Sequence, residues 1–81
     1  MKLKITITGP KVQGVGYRSF LAEMAIRVSL HGFEVYNEDD NTVVALIEGD
    51  ERKTKRFLDS INKGSWVQVV EKCHWNQMES A

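Results

Sequence analysis

Leu3, Ile5 and Ile7 alternate with Lys2, Lys4, Thr6 and Thr8, the two-residue period of a strand with one buried face. Gly9 and Pro10 stop that run, since proline removes a ladder donor and glycine lets the chain turn. From Tyr17 the period lengthens. Tyr17, Phe20, Leu21, Met24, Ala25 and Val28 recur at steps of three and four, which predicts an amphipathic helix over 17–31 with Gly32 as its C-terminal cap. Phe33 and Val35, set between Glu34 and Tyr36, read as a short strand, "NEDDN" as a turn and "TVVALIE" as a further strand rich in β-branched residues, together a hairpin. Asp50 is an N-cap candidate for a second helix, with Phe57, Leu58 and Ile61 on its buried face and Gly64 at its end. "SWVQVVEKCHW" (65–75) is the predicted closing strand.

The order β-α-β-β-α-β predicts an α+β, ferredoxin-like sandwich, an antiparallel sheet with two helices on one face. Residues 1–81 carry no repeat, linker or biased tract and read as one domain. The first helix carries the chain back across the sheet, so the second strand runs parallel to the first. Their C-terminal ends then share one edge, and the glycine-containing loop after the first strand is expected near Asn37, which ends the second.

Charge narrows the function classes. Eleven basic and eleven acidic side chains cancel, so no broad field draws the chain to nucleic acid or an anionic membrane, and any anion site has to be local. A single cysteine, Cys73, rules out an internal disulfide framework, and "MKLKITIT" has no apolar leader core. No apolar run approaches the roughly 20 residues of a membrane span. A cytoplasmic monomer without partners among nucleic acids or membranes is the expectation.

The local site is sought in "KVQGVGYRSF" (11–20). Gly14 and Gly16 allow backbone conformations that turn several N–H groups into one concavity at a helix start, where the helix dipole also favours an anion. Arg18 falls on the first turn, where a cation is disfavoured by about 0.3–1 kcal/mol unless an anion shares the site, and its planar fork suits phosphate oxygens. Glycine pairs at strand-to-helix turns also serve turn chemistry alone, and Arg18 reads equally as an ordinary surface arginine. Both nucleotide motifs fail, because no Lys-Ser or Lys-Thr follows the glycines and Ser19 stands where a dinucleotide fingerprint needs glycine.

"VQGVGYR" before a helix, with "VYNEDDNTV" leading into "EGD", resembles the two signature segments of the acylphosphatase family across roughly residues 3–70. The resemblance implies metal-independent hydrolysis of acyl phosphates to a carboxylate and inorganic phosphate, with no cofactor. It implies that the backbone of Val12, Gln13, Gly14, Val15, Gly16, Tyr17 and Arg18, together with the Arg18 side chain, holds the phosphate while Asn37 orients water. Three departures stand out. Pro10 occupies the place where the family usually has glycine before the loop, which alters the mouth of the cradle. Asn37 lies five residues beyond Gly32, where the family has asparagine four beyond a glycine. Since a one-residue slip flips side chains across a strand, Asn37 keeps its role if the turn after the helix absorbs the extra residue, as the Val35–Asn37 spacing favours. The chain also ends soon after "CHWNQMESA", short of the family's usual last strand, which implies lower stability or pairing with another chain.

So sparse a site suffices for this chemistry. The leaving group is a carboxylate with a pKa of about 4, so no general acid is required, and phosphoryl transfer rests on positioning and on charge stabilisation at the phosphoryl oxygens. The same sparseness counts against phosphomonoesters with poor leaving groups. One rival is a phosphate-binding relative with weak or no turnover; another is an RNA-binding module of the same topology, although the interleaved aromatics of such modules are missing. A metal-carrying domain would want Cys-x-x-Cys where the first loop reads "VQGV". The remaining conspicuous residues take ordinary roles. His31 complements the end of the first helix, His74 and Cys73 lie in the last strand without further ligands, Tyr17 packs, Trp66 and Trp75 are core or edge aromatics, and "DERKTKR" is a solvated helix face.

Overall fold

The computed structural model describes residues 1–10, 12, 16–64, 66 and 69–78. Strand β1 (Lys2–Thr8) leads to helix α1 (Tyr17–Arg27), the pair β2 (Gly32–Asp39) and β3 (Thr42–Glu48), helix α2 (Glu51–Lys63) and strand β4 (Lys72–Gln77). The sheet order is β2-β3-β1-β4 with every neighbouring pair antiparallel, which is the ferredoxin-like arrangement expected from the element order. Strict alternation in β1 puts Leu3, Ile5 and Ile7 on one face, and the register sets them opposite Ile47, Ala45 and Val43. With Tyr17, Leu21 and Ala25 of α1 and Phe57 and Ile61 of α2 they form one buried cluster. The other face of the sheet carries Lys2, Lys4, Thr6 and Thr8, and only Val44 there is fully covered, between Thr6 and Tyr36 in the register.

Helix α1 stops at Arg27 instead of running to 31. Ser29 takes the left-handed conformation at φ 59; its N–H donates to the Ile26 carbonyl and that of Leu30 to the Ala25 carbonyl, both at 3.0 Å. This pair of bonds is the Schellman arrangement, which occupies orphan carbonyls of the last turn and folds Leu30 back onto the core. Gly32 is therefore no cap. It is the first residue of β2, opposite Glu48. His31 sits outside the helix, its N–H donating to the Glu48 carbonyl at 2.7 Å.

Strand β2 runs on to Asp39, into the segment 37–41 that the sequence predicts as turn, with a register irregularity between Asn37 and Asp39. The Asp39 carboxylate accepts from the Asn41 N–H at 2.8 Å and closes the remaining turn. Helix α2 follows the sequence reading: Asp50 accepts from the Lys53 N–H at 2.8 Å, and the Gly64 N–H donates to the Ser60 carbonyl at 2.9 Å. The closing strand begins at Lys72 rather than 65. Among the described residues of the connection, Trp66 lies on the rings of α1, and the Val69 N–H turns back to the Trp66 carbonyl at 3.1 Å. Among the described residues, pairing with β1 starts where the Glu71 N–H reaches the Thr8 carbonyl at 2.8 Å; residues 65, 67 and 68 of the predicted strand lie outside the described residues.

Candidate active site

The two segments singled out in the sequence meet at one edge of the sheet. Thr8, the last residue of β1, and Asp39, the last of β2, both face Thr42, the first residue of β3. The Gly9 N–H donates to the Asn41 carbonyl at 2.9 Å, tying the root of the loop to the β2–β3 turn. Asn37 lies opposite Val43, which lies opposite Ile7. Asn37 thus belongs to the helix-bearing face, two strands from the root of the loop, a span of roughly 10 Å at the usual strand spacing. Val35 and Asn37 keep the alternation of β2, and its register with β3 runs unbroken from Gly32 to Asn37.

Of the seven loop positions, Gln13, Gly14 and Val15 lie outside the described residues. Val12 is fully buried in the core, which leaves its backbone alone to serve a ligand. Gly16 is exposed and forms the N-cap of α1 at φ 93 and ψ −7, in left-handed space that a side chain rarely adopts. Helix α1 has no side-chain cap and no acidic residue in its first turn, whereas α2 has Asp50 as cap and Glu51 after it. Among the described residues, the positive end of the α1 dipole thus has no capping side chain or first-turn carboxylate to compensate it. Arg18, the second residue of α1, is exposed and enters no ion pair among the described residues. Asn37 is likewise exposed at the end of β2.

Tyr17 is fully buried, so only its backbone can reach a ligand. Its ring packs against Phe20 (centroids 5.9 Å apart) and Trp66 (5.8 Å). Among the described residues its Oη is the buried side-chain polar atom without a hydrogen-bond partner. Burial, and secondarily the charge Cys73 would carry, hold its phenol far above the ordinary range; burial likewise pushes the Cys73 thiol up. Cys73 pairs with Ile7 on the core face and His74 with Thr6 on the other. Adjacent residues of a strand point to opposite faces, which separates these two as joint ligands. No group of three or more His, Cys, Asp or Glu side chains converges among the described residues.

Sequence reading missed the part played by the connection 64–71. It lies against the loop at both ends: a Cβ on Gly9 would collide with the Val69 carbonyl oxygen, and one on Gly16 would meet Trp66 Cη2 at 3.4 Å. No periodicity marks these contacts, because they depend on where α2 releases the chain.

A helix start without a side-chain cap, reached from an inner strand of an antiparallel sheet, defines a class of small α+β domains suited to holding an anion. The acylphosphatase family pattern matches residues 3–81. An acylphosphatase of Geobacillus kaustophilus is 38% identical over 74 residues, 91% of this chain and 78% of that protein. The crystal structure of the Bacillus subtilis acylphosphatase superimposes with a TM-score of 0.85 at 31% identity, covering 99% of this chain and 87% of that one. Full-length HypF in its phosphate- and nucleotide-bound form matches with a TM-score of 0.82 at 28% identity, over 98% of this chain and 10% of that protein. The chain belongs to the acylphosphatase family. None of its helices is long and apolar enough to cross a membrane, among the described residues.

Proposed function

We propose that the chain hydrolyses acyl phosphates, with the backbone of residues 12–18 and the Arg18 guanidinium holding the phosphate and Asn37 orienting the attacking water. The observation that carries this reading is the junction of loop and α1, where an uncapped helix start stands beside an exposed arginine. Phosphate oxygens supply the acceptors that the first-turn N–H groups lack and the charge that offsets Arg18 at the positive end of the dipole.

In the reaction, water oxygen bonds to phosphorus as the bond from phosphorus to the acyl oxygen breaks, and the carboxylate leaves with that electron pair. The proton lost by water passes to solvent or to the phosphate product. Because a carboxylate leaves readily without protonation, the residues need only align the water and stabilise charge on the phosphoryl oxygens. Arg18 and the loop do the second; Asn37, on the helix face of β2, does the first through its amide. Substrates are small acyl phosphates, inorganic phosphate is a product, and the working form is a cytoplasmic monomer that takes no nucleic acid.

Steady-state hydrolysis of benzoyl phosphate tests the assignment. Arg18→Ala, which loses contact with phosphate in both ground and transition states, is expected to raise KM and lower kcat. Asn37→Ala is expected to lower kcat with little change in KM. Unchanged kcat in a folded Asn37→Ala variant refutes the role of that asparagine. A wild type that binds inorganic phosphate without turning over the acyl phosphate refutes the enzymatic reading.

A further inference from the structure

We propose that Trp66 is a positioning residue for the phosphate loop, a brace that fixes the loop's exit into α1 from the far side of the chain; the inference rests on the loop being the phosphate site. Gly16 is where the loop becomes helix, and the nearest atoms to a side chain there would be Trp66 Cη2 at 3.4 Å and Cζ2 at 3.5 Å. The indole therefore fills the space beside the N-cap that any other residue would use itself. Its ring meets Tyr17 edge-on (65° between planes) and lies tilted on Phe20 with centroids 6.1 Å apart, while Tyr17 and Phe20 also touch. Three rings thus grip the first turn of α1, the turn that carries Arg18 on its exposed side. Such aromatic contacts have preferred offset and edge geometries, so they orient as well as bury.

The brace is anchored independently of the loop. Trp66 follows the Gly64 cap of α2, and the chain beyond it is tied to β1 by the Glu71 N–H to Thr8 carbonyl bond. Between these anchors Val69 presses its carbonyl against Gly9, the loop's other end. The N-cap has no side-chain hydrogen bond to hold its shape, and an anion cradle gains affinity from being ordered before the ligand arrives. Trp66 provides that order through packing, and it leaves the N–H groups of the helix start available to the phosphate.

The test compares wild type with Trp66→Leu and Trp66→Phe, reading amide hydrogen exchange, competitive inhibition by inorganic phosphate, and kcat and KM with benzoyl phosphate. In Trp66→Leu the Phe20 amide, bonded to the Gly16 carbonyl at 2.8 Å, is expected to exchange about tenfold faster or more while β1 and β3 amides keep their rates. Phosphate is expected to inhibit about tenfold more weakly, and Trp66→Phe, which keeps a ring, is expected to recover most of both effects. A Trp75→Phe background leaves Trp66 as the sole tryptophan of the two in the chain. Trp75 lies on β4 opposite Ile5 and is 51% exposed; in this variant added phosphate is expected to change the emission of Trp66 with the half-saturation seen in inhibition. The proposal is overturned by a folded Trp66→Leu whose Phe20 exchange and phosphate inhibition match wild type. Uniform acceleration of exchange across the sheet also overturns it, since that is loss of global stability. If Trp66→Leu does not fold, an emission of Trp66 that ignores phosphate in the Trp75→Phe background overturns it instead. A wild type that binds phosphate without hydrolysing acyl phosphate leaves the brace intact and overturns only the enzymatic reading.

Discussion

Replacing Gly9 with alanine is expected to destabilise the protein out of proportion to one added methyl. That methyl would collide with the Val69 carbonyl oxygen, a backbone atom with no rotamer to escape into, and would lie 3.2 Å from Val12 Cγ1 and 3.3 Å from the Glu71 nitrogen. Relief requires the connection 64–71 to back away from β1, which strains the bond from the Glu71 N–H to the Thr8 carbonyl. Overpacking of a tight site costs about 1–3 kcal/mol, and a weakened internal hydrogen bond adds about 0.5–1.5 kcal/mol. The sum, roughly 1.5–4.5 kcal/mol, is a large share of the about 4–12 kcal/mol expected for a domain of this size. At about 4–8 °C per kcal/mol the midpoint should fall by roughly 6–36 °C. Thermal melts followed by far-UV circular dichroism measure this directly. Gly32→Ala is the control: its methyl would meet Glu48 Cβ at 3.4 Å, an ordinary contact, and alanine in place of glycine costs the unfolded chain entropy, so its melt should match or slightly exceed wild type. A Gly9→Ala midpoint within about 3 °C of wild type would refute the close approach of the two backbones.

Ser29→Gly is expected to raise the melting midpoint by a few degrees, because glycine holds the left-handed conformation without the steric penalty a Cβ brings; a lower midpoint contradicts the Schellman geometry. Stability is expected to decline as pH rises above about 8.5, the ordinary thiol value. The unfolded chain then releases the Cys73 proton, and above about 10 that of Tyr17, while the native state retains both. Tyr17→Phe should flatten the upper part of that decline and Cys73→Ala the lower, and melts from pH 7 to 10.5 that show no decline argue against both burials. Hydrolysis of benzoyl phosphate is expected to persist after exhaustive chelation; restoration of a lost activity by one divalent metal would overturn the assigned roles of Arg18 and Asn37.

Local pattern determined much of this protein. The two-residue alternation of β1, the three- and four-residue spacing on α1 and the Asp50 cap of α2 appear in the structure as the sequence predicts, because each depends on near neighbours along the chain. The helix start at Gly16, with Arg18 in the first turn, was legible for the same reason, glycine at a turn being local chemistry. The end of α1 was not, since Ser29 rather than Gly32 supplies the reversal, its strain offset as Leu30 gains a place against the core. Nor was the start of β4, which the sequence predicts at 65 and the structure gives at Lys72; Trp66 packs on Tyr17 and Phe20, and among the described residues strand pairing starts where Glu71 reaches Thr8. Whether Asn37 faces the helices turned on a register of one residue, which β3 fixes by pairing Val43 with it. That choice, and the closure of the α2–β4 connection on both ends of the loop, belong to tertiary structure, because contacts between residues fifty positions apart are set by how sheet and helices pack and leave no period in the sequence.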